Sequence, residues 1–152
     1  MQGAFEQTSP VIQLRRYFRA PPEKVFRAWT QPQALKAWWC PRGWKAALIE
    51  VDLRVGGEYR IGMRKGGRGA EVSVFGHFLE VRPPQRLRYT WRWEGAFERM
   101  RDTLVTVEFV ESGGGTELTL CHEDFDDAAV RQQHWIGWVA ACNRLELTLL
   151  VG

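Results

Sequence analysis

Apolar and polar positions alternate along most of this chain, and the alternation is clearest between Leu87 and Trp93. There Leu87, Tyr89, Trp91 and Trp93 take every second position, with Arg88, Thr90 and Arg92 between them. A period of two belongs to a strand with one face on a core and the other in water. Weaker alternation marks further strands over residues 11–18, 45–53, 58–63, 72–81, 104–111 and 116–122. Gly56-Gly57, the glycine cluster at 65–69, Pro83-Pro84 and Ser112-Gly113-Gly114-Gly115 separate them, as turn chemistry requires. Gly76, inside the 72–81 run, predicts a bulge or bend there.

Helical spacing replaces alternation in three places. Ala20-Pro21-Pro22-Glu23 opens a helix, since proline suits the first turn and an early carboxylate suits the dipole; Val25, Phe26 and Trp29 form its apolar stripe. Thr30-Gln31-Pro32-Gln33 has capping-box spacing and predicts a second short helix carrying Leu35, Trp38 and Trp39, stopped by Pro41. Asp126 or Asp127 caps a final helix that runs to the C-terminus and sets Trp135, Trp138, Cys142, Leu145 and Leu149 on one face. The order is strand, two helices, six strands, long helix. It predicts an α+β fold in which a curved antiparallel sheet grips the last helix with aromatic groups between, an arrangement that leaves room for a ligand. Residues 1–9 are polar and expected to be flexible, and the whole chain, 1–152, is expected to be one domain. At that length roughly 70 % of the unfolded surface is buried on folding, so no disulfide or metal is needed for stability.

Composition sharpens this in one respect. Eight tryptophans, at 29, 38, 39, 44, 91, 93, 135 and 138, are an unusual content for a chain of this length. They are read either as packed core or as the wall of an aromatic pocket. The net charge of +3 comes from arginines interleaved with acids, without the basic run of a nucleic-acid tail. Arg86, Arg88 and Arg92, with Arg60, are read as a solvated sheet face rather than a phosphate patch. Cys40, Cys121 and Cys142 are far apart and in no paired motif, which argues against a disulfide framework or zinc site and fits a reducing compartment. Residues 1–10 lack the basic segment and apolar core of a signal peptide, and no apolar run is long enough to span a bilayer. A cytoplasmic location is expected.

Candidate chemistry is sparse. His122-Glu123-Asp124-Phe125-Asp126-Asp127 lacks the second histidine of a zinc-protease motif and the spacing of a calcium loop, so no metal is assigned. Asp52 to Gly57 and Gly113 to Gly115 read as turns, not phosphate loops, and no nucleophile elbow is present. Cys40 is taken as structural. His122 shares a strand face with Leu118 and Leu120, and His134 begins the last helix, so the two are expected at one mouth of the cavity. They are read either as a polar pair that orients a ligand, serving as acid and base if chemistry occurs, or as wall residues capping backbone groups.

Several segments together resemble a known family. They are residues 20–26 with Ala28-Trp29-Thr30, Pro32 through Trp38-Trp39, residues 52–59, and Gly76 through Glu80-Val81. They continue with Pro84, Arg86-Leu87, Tyr89-Thr90-Trp91, residues 105–107, residues 116–120, His122-Glu123, Phe125, His134 and Gly137-Trp138. In order and spacing the chain resembles the START-like (SRPBCC) superfamily, in the branch related to the activator of heat-shock protein 90 ATPase. The resemblance implies a helix-grip fold, a seven-stranded antiparallel sheet wrapped on a C-terminal helix around a hydrophobic cavity. It also implies a choice of roles: binding of a small hydrophobic, aromatic or lipid-like molecule; a cyclase, aromatase or hydratase using a histidine as acid–base; or a chaperone-interacting stress-response module. The first is the expectation here, with Trp38, Trp39, Tyr59, Phe75, Trp91, Trp93, His122, His134, Trp135 and Trp138 as ligand-contacting residues. No cofactor and no nucleic-acid partner are expected, and the chain is expected as a monomer or homodimer. If the tryptophans fill the cavity, the domain is instead an interaction module without a ligand.

Overall fold

The computed structural model describes residues 11–151, so the expectation for residues 1–9 lies outside the described residues. In chain order the elements are β1 (Ile12–Phe18), α1 (Pro22–Thr30), α2 (Pro32–Trp38), β2 (Trp44–Val51), β3 (Glu58–Lys65), β4 (Val72–Arg82), β5 (Arg86–Glu94), β6 (Thr103–Ser112), β7 (Gly115–Glu123) and α3 (Ala128–Val151). The strands form one antiparallel sheet ordered β1-β7-β6-β5-β4-β3-β2. This is the α+β arrangement expected from the alternation.

The inward positions line up across the strands. Leu14, Leu120, Val107 and Leu87 form one row through successive registers, and Ile12, His122, Val105 and Tyr89 form the next. All eight are buried. Such rows are the unit by which a one-sided sheet is stabilised. On the water face Arg86 pairs with Glu80 at 3.0 Å and with Glu108, Arg60 with Glu94 at 2.9 Å, and Arg92 with Asp102 at 3.3 Å. These cations are offset by acids and make no exposed basic patch.

Irregularities curl the sheet. The β2/β3 register shifts between Ala46 and Leu48, and the β4/β5 register shifts between Phe78 and Glu80. A bulge raises local twist and bends its strand. The bulged residue of β4 is therefore Leu79 and not Gly76. Gly76 serves a different purpose, because a Cβ there would stand 2.1 Å from the Thr90 carbonyl oxygen of β5. Only glycine permits that approach.

The short helices close one end of the concave face. Pro22 starts α1, whose Val25, Phe26 and Trp29 are buried. The expected capping box at Thr30 does not form. Thr30 is the last residue of α1, and its hydroxyl donates to Phe26 O at 2.9 Å. Gln31 is the N-cap of α2 and makes no side-chain cap bond. The cause is Pro32, which holds Gln31 extended at φ −91° and ψ 131° and so moves the boundary one residue along. Asp127, not Asp126, caps α3: its Oδ1 accepts from the amides of Ala129 at 2.8 Å and Val130 at 3.1 Å. The long helix α3 lies against β1 and α2 with Arg131, His134, Trp138, Ala141, Cys142, Leu145 and Leu149 buried. Trp135, expected on that stripe, is one residue out of step with it and only half-buried.

Candidate functional site

The space under α3 divides in two. Towards the middle of the sheet the aromatics pack on one another. Trp29 stacks on Trp138 with centroids 6.0 Å apart and 12° between planes, and its indole N–H donates to Tyr89 Oη at 3.1 Å. Trp38 is fully buried and donates to Ala28 O at 2.9 Å. Only a gap of about 30 Å³ remains there, bounded by Tyr59, Tyr89, Trp91 and their neighbours. Here the tryptophans fill the interior.

Beyond Trp91 the packing opens into a groove of about 320 Å³. The sheet supplies Met63, Val72, Trp91 and Trp93, and α3 supplies Gln133, His134, Gly137, Trp138, Ala141 and Arg144. Trp39 and Pro41 line it from the segment between α2 and β2, Trp44 from the start of β2, and Ala96 and Phe97 from the segment after β5. The α3 contribution recurs at three- and four-residue spacing, which is one helical face. Gly137 and Ala141 sit in the middle of that face. A Cβ on Gly137 would meet nothing within 4 Å, so the groove exists partly because these two positions carry no bulk. Tilted or edge-on aromatic pairs brace the walls: Trp91 with Trp138 at 5.1 Å, Trp91 with Trp93 at 5.7 Å, and Phe97 with His134 at 4.9 Å.

Both histidines are locked by tryptophans. Trp138 Nε1–H donates to His122 Nδ1 at 3.0 Å, which fixes the ring proton on Nε2. His122 Nε2–H then donates to Thr103 Oγ1 at 2.7 Å, and Thr103 donates to Trp91 O at 3.0 Å. His134 holds the other tautomer. Trp93 Nε1–H donates to its Nε2 at 2.9 Å, so Nδ1–H donates to Val130 O at 2.8 Å. Burial pushes the His122 pKa well below its usual value, and nearby His134 pushes it further in the same direction. Burial also lowers His134, partly opposed by its bond to Val130 O. Each imidazole is neutral, and protonation would turn an indole donor against an imidazolium donor.

Of the residues expected to contact a ligand, Trp39, Trp91, Trp93, His134 and Trp138 are brought together around the groove. His122 lies behind this wall, fully buried. Trp38 and Tyr59 belong to the packed region, and Trp135 stands outside the lining. Phe75 is on the opposite face of the sheet, under the Arg60 guanidinium at 4.6 Å. Its neighbour Val74 takes the inward position, and strand alternation forces Phe75 outward. Gly137, Ala141, Arg144 and Phe97 were not expected. The His134, Gly137, Ala141, Arg144 spacing is the sequence signal that marks three of them.

Cys142 is buried and its thiol is pushed up to about 11 by burial, which makes it a packing group and not a nucleophile. Among the described residues no three His, Cys, Asp or Glu side chains converge as a metal-ligand set, and no helix is long and apolar enough to cross a membrane.

A curled seven-stranded antiparallel sheet closed on a C-terminal helix, with two short helices after the first strand, is the helix-grip fold. The family model described as Activator of Hsp90 ATPase homolog 1-like protein matches residues 19–149, and the chain belongs to that family. Solved structures agree. A protein of Chromobacterium violaceum is 31% identical, with a TM-score of 0.83 over 92% of this chain and 96% of that one. The AHSA1 protein of Silicibacter pomeroyi is 26% identical, with a TM-score of 0.80 over 93% and 98%. CalU16 of Micromonospora echinospora is 27% identical, with a TM-score of 0.68 over 91% of this chain and 75% of that one. No curated protein matches the chain significantly. The fold is generally a ligand-binding scaffold.

Proposed function

We propose that this protein binds a small hydrophobic molecule, aromatic or lipid-like, in the groove between the sheet and α3. The observation that carries the reading is the groove itself: about 320 Å³, walled by Trp39, Trp91, Trp93, Phe97 and Trp138. Small-molecule sites are mostly apolar with a few placed polar groups, and Gln133 and Arg144 supply those. Binding is favoured over catalysis because both nitrogens of each histidine are engaged within the protein. A general acid or base must reach the substrate's proton, and neither ring has a nitrogen to offer. The test is a two-dimensional NMR titration with fatty acids, flavonoids and polyketide-like aromatics. Saturable shifts concentrated on Trp93, Phe97 and His134 are expected. A flat response across the panel would overturn the reading.

A further inference from the structure

We infer that the groove selects molecules with one anionic head on an apolar body, and that Arg144 receives the head. This rests on the binding role proposed above and names its ligand class. Of the fifteen residues lining the groove, Arg144 alone is charged; no Asp or Glu is among them. The sheet-face arginines Arg60, Arg86 and Arg92 each pair with a carboxylate, but Arg144 forms no ion pair among the described residues. Its guanidinium is held at the end of α2, with Nε–H donating to Trp38 O at 2.8 Å and Nη2–H to Trp39 O at 3.2 Å. Those bonds use two of the five N–H groups a guanidinium carries, so about three remain for a ligand. They also fix the side chain, so an incoming anion need not order it first.

The surroundings raise the value of that charge. Trp39, Pro41, Trp44 and Ala141 keep the local polarity low, where an ion pair is stronger than in water. An arginine fork matches carboxylate, sulfonate and phosphate geometry. The distribution along the groove is also asymmetric. Trp93, Phe97 and His134 occupy one end of the α3 face and Arg144 the other, with Gly137 and Ala141 between. An elongated ligand is therefore expected to lie along α3 with its apolar body over Gly137 and Ala141 and its head at Arg144.

The test uses two probes with one aromatic body: anilinonaphthalene sulfonate and phenylnaphthylamine, which lacks the sulfonate. Fluorescence titrations are run on the full chain, on Arg144→Gln and on Arg144→Lys, with NMR shifts locating each probe. The expected result is that Arg144→Gln weakens the sulfonate at least tenfold and changes the neutral probe less than twofold, while Arg144→Lys keeps most of the sulfonate affinity. Higher salt should weaken only the sulfonate in the unaltered chain, a readout that needs no variant to fold. Both probes bound in the groove with no difference between them, in the variants or with salt, would overturn the anion preference and leave the binding role standing. If neither probe shifts Trp93 or His134, both fall.

Discussion

Acidification from about pH 7.5 to 5.5 should destabilise this protein through two buried histidines, His122 and His134. His122 and His134 are neutral in the fold, with pKa values lowered from 6.5 chiefly by burial. In the unfolded chain they titrate near their ordinary value. Below pH 6.5 the unfolded state binds protons that the folded state refuses, so stability is complete above that value and falls as pH drops towards the folded pKa values. Over this window a histidine that stays neutral when folded forfeits on the order of 1 kcal/mol, and the pair at most about 2–3 kcal/mol. In a domain of this size that lowers the melting temperature by roughly 5–10 °C. Carboxylates act lower: Glu80, held below its ordinary range by its hydrogen bond to Arg86, stabilises above about pH 4.5 and is lost beneath it. Thermal or urea unfolding at several pH values reads the slope. Nitrogen-detected NMR of the imidazoles reads the tautomers, Nε2–H for His122 and Nδ1–H for His134. A stability flat between pH 7.5 and 5.5, or either ring titrating above 6.5, would refute the reasoning.

Two further substitutions test the frame around the site. Thr103→Val keeps the shape but leaves His122 Nε2–H and the Trp91 carbonyl without their shared partner; a loss of about 2–3 kcal/mol in urea unfolding is expected, and a change under about 0.5 kcal/mol would show that the chain of bonds does not hold the wall. Gly76→Ala drives a methyl into the Thr90 carbonyl; overpacking of this kind costs about 1–3 kcal/mol, and an unchanged melting temperature would contradict the close approach of β4 and β5.

Most of the fold was legible because alternation survives wherever one sheet face is buried. Leu87, Tyr89 and Trp91 point inward as their spacing demands, and so do Val105, Val107, Leu118 and Leu120. The capping box failed because Thr30 and Gln33 satisfy a spacing rule while Pro32 between them dictates the backbone. Phe75 was misplaced because the bulge lies at Leu79, three residues beyond Gly76, where the sequence places it. With the bulge there, Val74 and Phe78 share the inward parity and Phe75 does not.

The site was half legible, for a different reason. Tryptophans announce a wall, and five of the expected residues do line the groove. A space is announced by what is missing: the 134, 137, 141, 144 spacing puts Gly137 and Ala141 on the helix face of His134 and Arg144, but small residues there form no apolar stripe that reads as a wall. Phe97 and Met63 come from segments that only the curled sheet brings near α3. The two histidines stand close together, with ring centroids 5.5 Å apart, but His122 lies buried behind the wall and not at the mouth. Their hydrogen bonds to Trp93 and Trp138 depend on indole orientations that no sequence rule supplies.

The most direct test of a ligand groove is to fill it without disturbing the core. Gly137→Leu does so, because the position is open space on the α3 face between His134 and Ala141. Leucine gains about 1 kcal/mol of helix propensity over glycine, which raises the melting temperature by about 2–4 °C. The measurement is phenylnaphthylamine affinity in the variant against the unaltered chain. Affinity at least tenfold weaker in a protein at least as stable is the predicted result; equal affinity in the filled variant would contradict a ligand site in this groove.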